Sequence, residues 1–525
     1  MFPIGRSTRV VSRRDLLRLG AAGATALVGV PLLAACGSAT PPAATSAPAP
    51  AEKPAAAAPT ATSAPAATSA PAKATEAPKP AEPTKPAAAA TKPAESATPA
   101  AKPAAQTGQT VTLNFQHFFT GVLWTNGFQQ MVEMFEKQNP NIKWSGFAVP
   151  YGEMMPKLIT LVAGGQPPDG TSLDNERIKS VIFRGLLKEL DPYAQTDKTL
   201  DMNDFYKARL ESYADKGKHY ALPIDMGSGA VYYNQEMFDE AGLKYPDPKW
   251  TYQDILDTAS KLTIDKNGKR AGEAGFDKNN VKQWGYQFPA GQYRFYNCYR
   301  GFNGAEFFDK DITKTRINEP EGIASMQWFA DLRNKLSVSP SPAQDQAMRA
   351  GGVQPFTSGG WAMEHTWIGL IAYLHQTGVK VQKWDVVNLP ETPTAAQETG
   401  GQGFVVINGA KQPDAAWAWT RFMAGDDAQK YMGTNGVWFP CRKSMAKYGL
   451  PSDGKPEGFF SGFYEQVEKH GQANWWYVPG WEQWSQAIQN ELDPMWLGSR
   501  DAKATASAIQ EKVDPMVKDW EKKIQ

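Results

Sequence analysis

The sequence contains few of the residues that build metal sites and thiol active sites. Its 525 residues include only 3 cysteines and 5 histidines, and neither a Cys-x-x-Cys nor a His-Glu-x-x-His motif is present. Zinc sites and thiol chemistry need such clustered ligands, so we expect no metal and no cofactor. Cys298 and Cys441 are compatible with a disulfide or with two buried thiols, and the sequence leaves both alternatives open.

An excess of positive charge is also missing from the part of the chain that can fold. Residues 37–108 contain only Ala, Pro, Thr, Ser, Lys, Glu, Gln and Gly, so they cannot bury an apolar core. Residues 109–525 carry 44 Lys and Arg against 49 Asp and Glu. Nucleic acids are bound by a clustered positive face, and this slightly acidic balance therefore argues against a nucleic-acid partner.

The first 36 residues have the features of an export signal. Five arginines precede residue 19, and an apolar run over residues 16–35 ends at Cys36. A basic segment, an apolar segment and small residues at a cleavage site are typical of a secretory signal peptide. Ser12–Arg18 resembles a twin-arginine signal. Leu33–Cys36 resembles the lipobox of bacterial lipoproteins, which implies lipidation of Cys36. The alternative is a transmembrane helix over residues 16–35.

Residues 37–108 predict a tether without packed structure. They contain 15 prolines among 72 residues, and segments rich in Pro and Ala adopt extended polyproline-like or coil conformations. At about 3.1 Å per residue, this segment reaches about 200 Å when fully extended. We expect a monomeric domain held by a lipid anchor on the outer face of a bacterial cell membrane, in a periplasm or at the cell surface.

Periodicity in residues 109–525 predicts alternating strands and helices. Apolar residues alternate over Val111–Phe115, as in a strand, and then recur at helical spacing from Trp124 until Asn139-Pro140. This order is typical of βαβ units, in which a parallel sheet carries helices on both faces. Further predicted elements are strands over 141–149, 169–173 and 403–407, and helices over 151–163, 413–424 and 483–493, with a capping box at 251–254.

The middle of the chain carries a resemblance to a known family. The run Gly217–Asp225, followed by Val231–Phe238 and Ala241–Leu243, resembles the extracellular solute-binding proteins of ABC importers. The most similar branch is the sugar-binding family that includes maltose-binding protein. The likeness extends over nearly all of residues 109–525. Supporting segments follow in that family's order, at Gly164–Asp169, Arg184–Leu190, Trp250–Tyr252, Gly359–Met363 and Lys411–Trp417.

The resemblance implies an α/β fold of the two-lobed, periplasmic-binding-protein-like type II class. Hinge crossovers would join the lobes, and the ligand cleft would lie between them. Lobe 1 would comprise about residues 109–224 and 404–436, and lobe 2 about residues 229–400 and 441–525. Hinge bending around a ligand is the motion that such folds use.

Candidate ligand-binding residues follow from the chemistry of sugars. Aromatic rings match the apolar faces of a sugar, polar side chains bind its hydroxyls, and ligands of open α/β sheets lie at the carboxyl ends of strands. For Trp124 the alternative to ligand contact is a role in packing its helix. For Asp225 the alternative is a role as a hydrogen-bond acceptor in the hinge. The predicted residues are Phe118, Trp124, Asp174, Asn175, Asp225, Tyr293, Arg294, Glu364, Trp367, Gln402, Trp438, Trp476 and Trp481.

The function implied is non-catalytic: a component of an ABC importer that captures a sugar or oligosaccharide and delivers it to the permease. A first alternative is a sugar phosphate or glycerol-phosphate anion, paired with Arg294 or Arg442. A second is a secreted glycoside hydrolase, which needs two carboxylates at a defined separation; Asp174, Asp225 and Glu364 are the candidates. A third is an adhesive surface lipoprotein, which would explain the tether but not the two-lobe pattern.

Overall fold

The computed structural model describes residues 110–119, 122–350, 354–376, 378–397, 399–473, 479–518 and 522, without the side chains of 122–124 and 292–294. The predicted signal peptide, the lipidation site Cys36 and the tether over 37–108 lie outside the described residues. Within the described ranges, no helix combines the length and apolar character that crossing a bilayer requires.

The strands form two main sheets. Short strand pairs, β4 with β5 and β8 with β9, stand apart from them. The strands are β1 (Val111–His117), β2 (Ile142–Ala148), β3 (Gly170–Asp174), β4 (Ala214–Asp215), β5 (Lys218–His219), β6 (Leu222–Pro223), β7 (Gly229–Asn234), β8 (Ile264–Asp265), β9 (Val281–Gln283), β10 (Met363–Trp367), β11 (Trp384–Val387) and β12 (Gln402–Val406).

The helices agree with most of the periodicity-based expectations. The predicted helix over 151–163 is a 3-10 turn, Tyr151–Glu153, followed by an α-helix. The α-helices are α1 (Val122–Gln138), α2 (Met154–Ala163), α3 (Ile178–Phe183), α4 (Asp191–Thr196), α5 (Lys207–Glu211), α6 (Gln235–Ala241), α7 (Tyr252–Leu262), α8 (Gln292–Asn303), α9 (Pro320–Asn334), α10 (Pro342–Met348), α11 (Leu370–Leu374), α12 (Pro413–Ala424), α13 (Asp426–Thr434), α14 (Glu465–His470), α15 (Trp481–Trp496) and α16 (Ala502–Lys518). The capping box at α7 is confirmed, since Thr251 and Asp254 bond reciprocally.

The first sheet has five strands in the order β2-β1-β3-β12-β6. β1 runs parallel to β2 and β3, whereas β12 runs antiparallel to β3 and β6. The predicted parallel pairing is therefore confirmed for β1, β2 and β3, whereas β12 makes the sheet mixed. The physical reason is the route of the chain: β12 enters at Gln402, opposite Asp174, so it starts at the edge where β3 ends.

The second sheet places β7 between β10 and β11, and both pairings are antiparallel. Every residue of β7 is buried, which fits a strand covered on both faces. Its first residue, Gly229, lies opposite Trp367 at the end of β10. The two sheets therefore approach each other where the chain leaves β6 and enters β7.

Apolar packing is continuous from the first sheet to one face of the second. One buried cluster joins β1, α1 and α12 to Tyr232 of β7 and Trp361, and a second cluster joins α7, α8, α9, α15 and α16. Trp417 and Trp419 of α12 belong to the first cluster and are core residues. Cys298 and Cys441 are both buried and neither forms a disulfide, which decides between the two alternatives in favour of thiols.

Candidate ligand-binding site and hinge

Three segments lie side by side between the two sheets. The segment after β6 pairs with the segment before β12, where Gly227 N donates to the carbonyl of Gly400 at 2.8 Å. Met226 N donates to the carbonyl of Phe439 at 2.8 Å, which adds the third segment. A connection of this kind, a few residues wide and joining two separately built sheets, can absorb rotation as a hinge.

Asp225 holds two of these segments together. Its Oδ1 accepts a hydrogen bond from Gln402 N at 2.5 Å and lies 3.4 Å from Arg209 Nη2. Arg209 is fully buried and also donates to the carbonyls of Asp225, at 2.9 Å, and Gln402, at 2.8 Å. These contacts fit the hinge role that was the alternative for Asp225, and a direct contact with ligand stays a prediction.

The electrostatics of this pair depend on burial. Desolvation raises the pKa of Asp225 to about 6, although Arg209 and the N–H of Gln402 both act against that rise. Gly401 lies directly beside the carboxylate of Asp225. Its φ of +125° is a conformation that side-chain-bearing residues rarely adopt, and a Cβ there would lie 2.3 Å from Asp225 Oδ1. Glycine is thus required at this position both by the backbone and by the buried carboxylate.

The carboxyl end of β3 carries a second polar cluster, centred on Asp174. Tyr151 donates its hydroxyl to Asp174 Oδ2 at 2.6 Å, and Arg177 Nη1 lies 3.2 Å from the same oxygen. The Arg177 guanidinium lies over the Tyr151 ring at 3.7 Å, and Phe118 meets that ring edge-on at 5.2 Å. We call Phe118, Tyr151, Asp174 and Arg177 the aromatic–acid cluster.

Tyr151 combines exposure with a fixed orientation. Its residue surface is 43% exposed, yet its hydroxyl is held by Asp174. Burial around the hydroxyl, and then the Asp174 carboxylate, raise the pKa of Tyr151 above its usual value. The hydroxyl therefore stays a protonated donor at neutral pH. An exposed ring fixed in this way is available for stacking on an apolar ligand face.

Two amide side chains at the same edge have unsatisfied polar atoms. Gln402 lies opposite Asp174 in the sheet register, and its buried Oε1 accepts no hydrogen bond in the structure. Asn175 is 2% exposed, and its Nδ2 donates none. Buried polar atoms are normally paired. An acceptor and a donor at one sheet edge therefore suit a ligand that both donates and accepts hydrogen bonds.

The second sheet contributes fewer of the predicted residues. Trp367 is half-buried at the end of β10, next to the hinge. Glu364 lies three residues earlier, opposite Tyr232, where it is buried 3.7 Å from Arg349 Nη2. The structure thus brings Phe118, Asp174, Asn175, Asp225 and Gln402 together on the first sheet, places Trp367 beside the hinge, and sets Glu364 farther into the second sheet.

Two predicted tryptophans lie in the core. Trp438 is 7% exposed and meets Phe119 edge-on at 4.6 Å. Trp481 precedes the helix predicted over 483–493, but in the structure it is the first residue of α15. It is 3% exposed, and its ring meets Trp484 edge-on at 6.4 Å. Ligand contact by either residue stays a prediction. The side chains of Trp124, Tyr293, Arg294 and Trp476 lie outside the described part of the chain.

Sequence reasoning missed Tyr151 and Arg177. The rule that ligands lie after strands could have found Tyr151, because it follows the end of β2 by three residues. No pattern in the sequence marks Arg177, whose relevance comes only from its contacts with Asp174 and Tyr151.

The geometry bears on the alternative functions. Arg442 is buried, its Nε lies 2.8 Å from Asp204 Oδ2, and it also pairs with Asp426. It is therefore not available to a ligand anion, and this part of the sugar-phosphate alternative is wrong. Asp225, one of the three carboxylates considered for hydrolysis, is engaged by Gln402 N and Arg209. Over the described residues, no group of three or more His, Cys, Asp or Glu side chains could hold a metal ion.

Comparison with known proteins gives consistent matches. A family model described as bacterial extracellular solute-binding protein matches residues 130–456. A protein of Brucella abortus (strain 2308), named as a binding protein, is 22% identical over 401 residues, which are 74% of this chain and 90% of that protein. The arabinooligosaccharide-binding protein of Bacillus subtilis (strain 168) is 26% identical over 247 residues, which are 46% of this chain and 51% of that protein.

Solved structures resemble the overall fold. An ABC substrate-binding protein from Listeria monocytogenes, in complex with cycloalternan, has a TM-score of 0.66 and 25% identity, over 78% of this chain and 99% of that one. The GacH receptor of Streptomyces glaucescens, solved unliganded and with acarbose, has a TM-score of 0.62 and 19% identity, over 78% and 99% of the two chains. These likenesses confirm the predicted two-lobed α/β fold.

Proposed function

Because the chain belongs to the bacterial extracellular solute-binding protein family, we propose that it captures a sugar or oligosaccharide between its two lobes and delivers it to the permease of an ABC importer. The family consists of transport components rather than enzymes, and it functions outside the cytoplasm. The named ligands of similar proteins support a carbohydrate: arabino-oligosaccharide for one relative, cycloalternan and acarbose for two solved structures.

The observation that carries the proposal is the aromatic–acid cluster beside the unsatisfied amides. Tyr151 offers an exposed ring, whereas Asp174, Asn175 and Gln402 offer acceptors and a donor within one sheet edge. A sugar needs both, since its C–H faces stack on aromatic rings and its hydroxyls donate and accept hydrogen bonds. A ligand bound at this edge would meet Trp367 from the second lobe when the hinge closes.

Matched tyrosine variants test the stacking role. Tyr151 and Tyr245 are exposed to nearly the same extent, 43% and 42%, and each donates its hydroxyl to an aspartate. Loss of one aromatic contact of about 1 kcal/mol weakens binding about fivefold or more. We therefore expect Tyr151→Ala to weaken carbohydrate binding by at least that factor, and Tyr245→Ala to leave it unchanged.

Titration calorimetry with arabino-oligosaccharides, maltotriose and cyclic glucans is the measurement. Wild-type protein that binds none of these and no member of a wider carbohydrate panel would contradict the sugar proposal. Equal affinities for Tyr151→Ala and Tyr245→Ala would contradict the assignment of the site while leaving sugar binding intact. Binding whose affinity falls steeply with added salt would favour an anionic sugar instead, for which Arg294 remains the candidate partner.

We also propose the attachment and domain limits expected from the sequence. Cys36 would carry the lipid, residues 37–108 would form the tether, and residues 109–525 would bind ligand as a monomer, with lobe 1 at about 109–224 and 404–436 and lobe 2 at about 229–400 and 441–525. Radioactive fatty acid should label the wild-type chain in cells. Label retained by Cys36→Ala would contradict the lipid anchor.

A further inference from the structure

A cavity lies among the helices of the second lobe. It has a volume of about 540 Å³ and is bounded by the start of α8, the ends of α9 and α15, and α10. Its described lining residues fall within 290–350 and 489–496; none of them belongs to the first sheet or to the aromatic–acid cluster. Cavities that hold small ligands are typically about 300–1,000 Å³, so this one has the size of a ligand site.

Arg333 of α9 is the distinctive residue of this cavity. It is only 7% exposed, and its buried Nε and Nη1 donate no hydrogen bond in the structure. A buried guanidinium without a hydrogen-bonded partner is unusual, because burial of charge is costly unless it is paired. Desolvation lowers the pKa of Arg333 to about 10, and Asp345 acts against that shift.

Two aromatic rings fix the orientation of the Arg333 guanidinium. Its central carbon lies 4.5 Å from the ring centre of Phe288 and 5.6 Å from that of Trp496. Stacking occupies the face of the planar guanidinium and leaves its N–H donors in the plane. Trp496 also lines the cavity, so the donors and an apolar wall are presented together.

The carboxylates around the cavity have partners already. Asp345 Oδ1 lies 3.0 Å from Arg349 Nε, and Arg349 Nη2 also lies 3.7 Å from Glu364. Asp493 Oδ1 accepts a hydrogen bond from Gln489 Nε2 at 2.7 Å. Arg333 is therefore the charged residue at this cavity whose buried N–H groups have no hydrogen-bond acceptor in the protein.

We propose that this cavity is a second ligand site, which binds a small molecule through a carboxylate or phosphate group held by Arg333. Both groups present paired oxygens that match the fork of a guanidinium. The apolar part of the ligand would lie against Trp496. The site is separate from the carbohydrate site of the first sheet, so each can be tested without the other.

Melting of the full chain at constant ionic strength, with sodium phosphate or sodium acetate replacing sodium chloride, tests the proposal. A ligand that binds only the folded state raises Tm by mass action. We expect a saturable rise on the order of 2 °C with at least one of the two anions. A rise with phosphate alone identifies a phosphate ligand, and a rise with acetate alone a carboxylate. No saturable rise with either would overturn the proposal.

Variants connect the effect to Arg333. Arg333→Met keeps the chain packed between Phe288 and Trp496, and it should melt at or above the wild-type temperature without anion while losing the anion-induced rise. Arg316→Met, which removes an exposed arginine paired with Glu319, is the control and should keep the rise. An equal rise in both variants would overturn the proposal.

A conservative variant and a second readout separate this site from the first. Arg333→Lys keeps the charge but lacks the fork, so it should need about tenfold more anion for half of the rise; an unchanged midpoint would count against a guanidinium site. This variant also serves if Arg333→Met folds poorly. Carbohydrate affinity should be the same in wild type and both Arg333 variants, because the two sites share no residues.

Discussion

Replacing Gly401 with alanine tests whether the hinge depends on the contact between Asp225 and the second segment. Gly401 has a φ of +125°, and a Cβ there would lie 2.3 Å from Asp225 Oδ1 and 2.8 Å from Arg209 Nη2. Neither atom is at the free end of an exposed side chain. Arg209 is fully buried and the Asp225 side chain is 14% exposed, so the clash cannot be relieved by moving into solvent.

The expected cost has two parts. A residue other than glycine in this backbone conformation costs about 1–3 kcal/mol. Displacing Asp225 from the N–H of Gln402 leaves buried polar groups unpaired, which costs about 1–3 kcal/mol more. We therefore expect Gly401→Ala to lower the free energy of unfolding by about 2–6 kcal/mol, measured by urea denaturation followed by circular dichroism.

Gly165 provides the matched control. Its φ is +68°, and a Cβ there meets nothing within 4 Å, so Gly165→Ala carries backbone strain without a clash. We expect it to cost about 1 kcal/mol. The clash with the carboxylate should also disappear in an Asp225→Ala background, where Gly401→Ala should cost less, because only its strain and the 2.8 Å approach to Arg209 Nη2 are left. Equal costs for the two glycine variants, or no coupling to Asp225, would refute the reasoning.

The remaining predictions concern pH and one ion pair. The pKa of Asp225 is raised to about 6 in the folded state. Asp225 should therefore lower the free energy of unfolding by about 3 kcal/mol as pH rises from about 4 to 6. Denaturation curves of Asp225→Asn should lack that fall. Burial lowers the pKa of His117 to about 4, so His117 should lower the free energy of unfolding as pH drops from 6.5 to 4. His117→Phe should remove this loss. A pH profile that is the same in this variant as in the wild type would contradict the prediction. Arg442→Met removes the cation beside Asp204, whereas Asp426 is 67% exposed and Asp204 keeps its bonds from Ser444, so the change should cost about 1–3 kcal/mol in urea denaturation without changing carbohydrate affinity.

The two pH effects have opposite signs over the same range, which makes the variants more informative than the wild type. Between about pH 4 and 6 the folded state holds the proton of Asp225 more tightly than the unfolded chain, and that of His117 less tightly. Their contributions therefore offset each other. Stability should rise with pH in Asp225→Asn and fall with pH in His117→Phe.

Local patterns in the sequence predicted most elements of the fold because each pattern depends on near neighbours. The apolar spacing before Asn139-Pro140 and the Thr251–Asp254 capping box both correspond to observed helices. The direction of β12 was not predictable in this way. It depends on a return from the second sheet about 180 residues after β6, and no periodicity records the edge at which a strand enters.

The candidate site was predictable only in part, for a related reason. Asp174 was found because it follows a recognisable strand, and Gln402 because it lies at a predicted crossover between the lobes. Their pairing in the register, and the contacts of Tyr151 and Arg177 with Asp174, join segments that are distant in sequence. Trp481 was misplaced because α15 begins directly after Gly480, two residues earlier than the helical pattern suggested.

The hinge and the proposed ligand edge share Gln402, and this links closure to binding. Its backbone N–H is held by Asp225, and its carbonyl by Arg209, so the residue belongs to the hinge. Its side chain lies opposite Asp174 in the sheet register and has an unsatisfied acceptor, so it also belongs to the ligand edge. Because Gln402 and Asp174 pair within one sheet, a rotation about the hinge would keep these two groups together and change their distance from Trp367 of the second sheet. A ligand that bonds to both groups and also contacts Trp367 would favour one hinge angle over the others, and such differential contact is the condition for a ligand to shift the population of closed molecules.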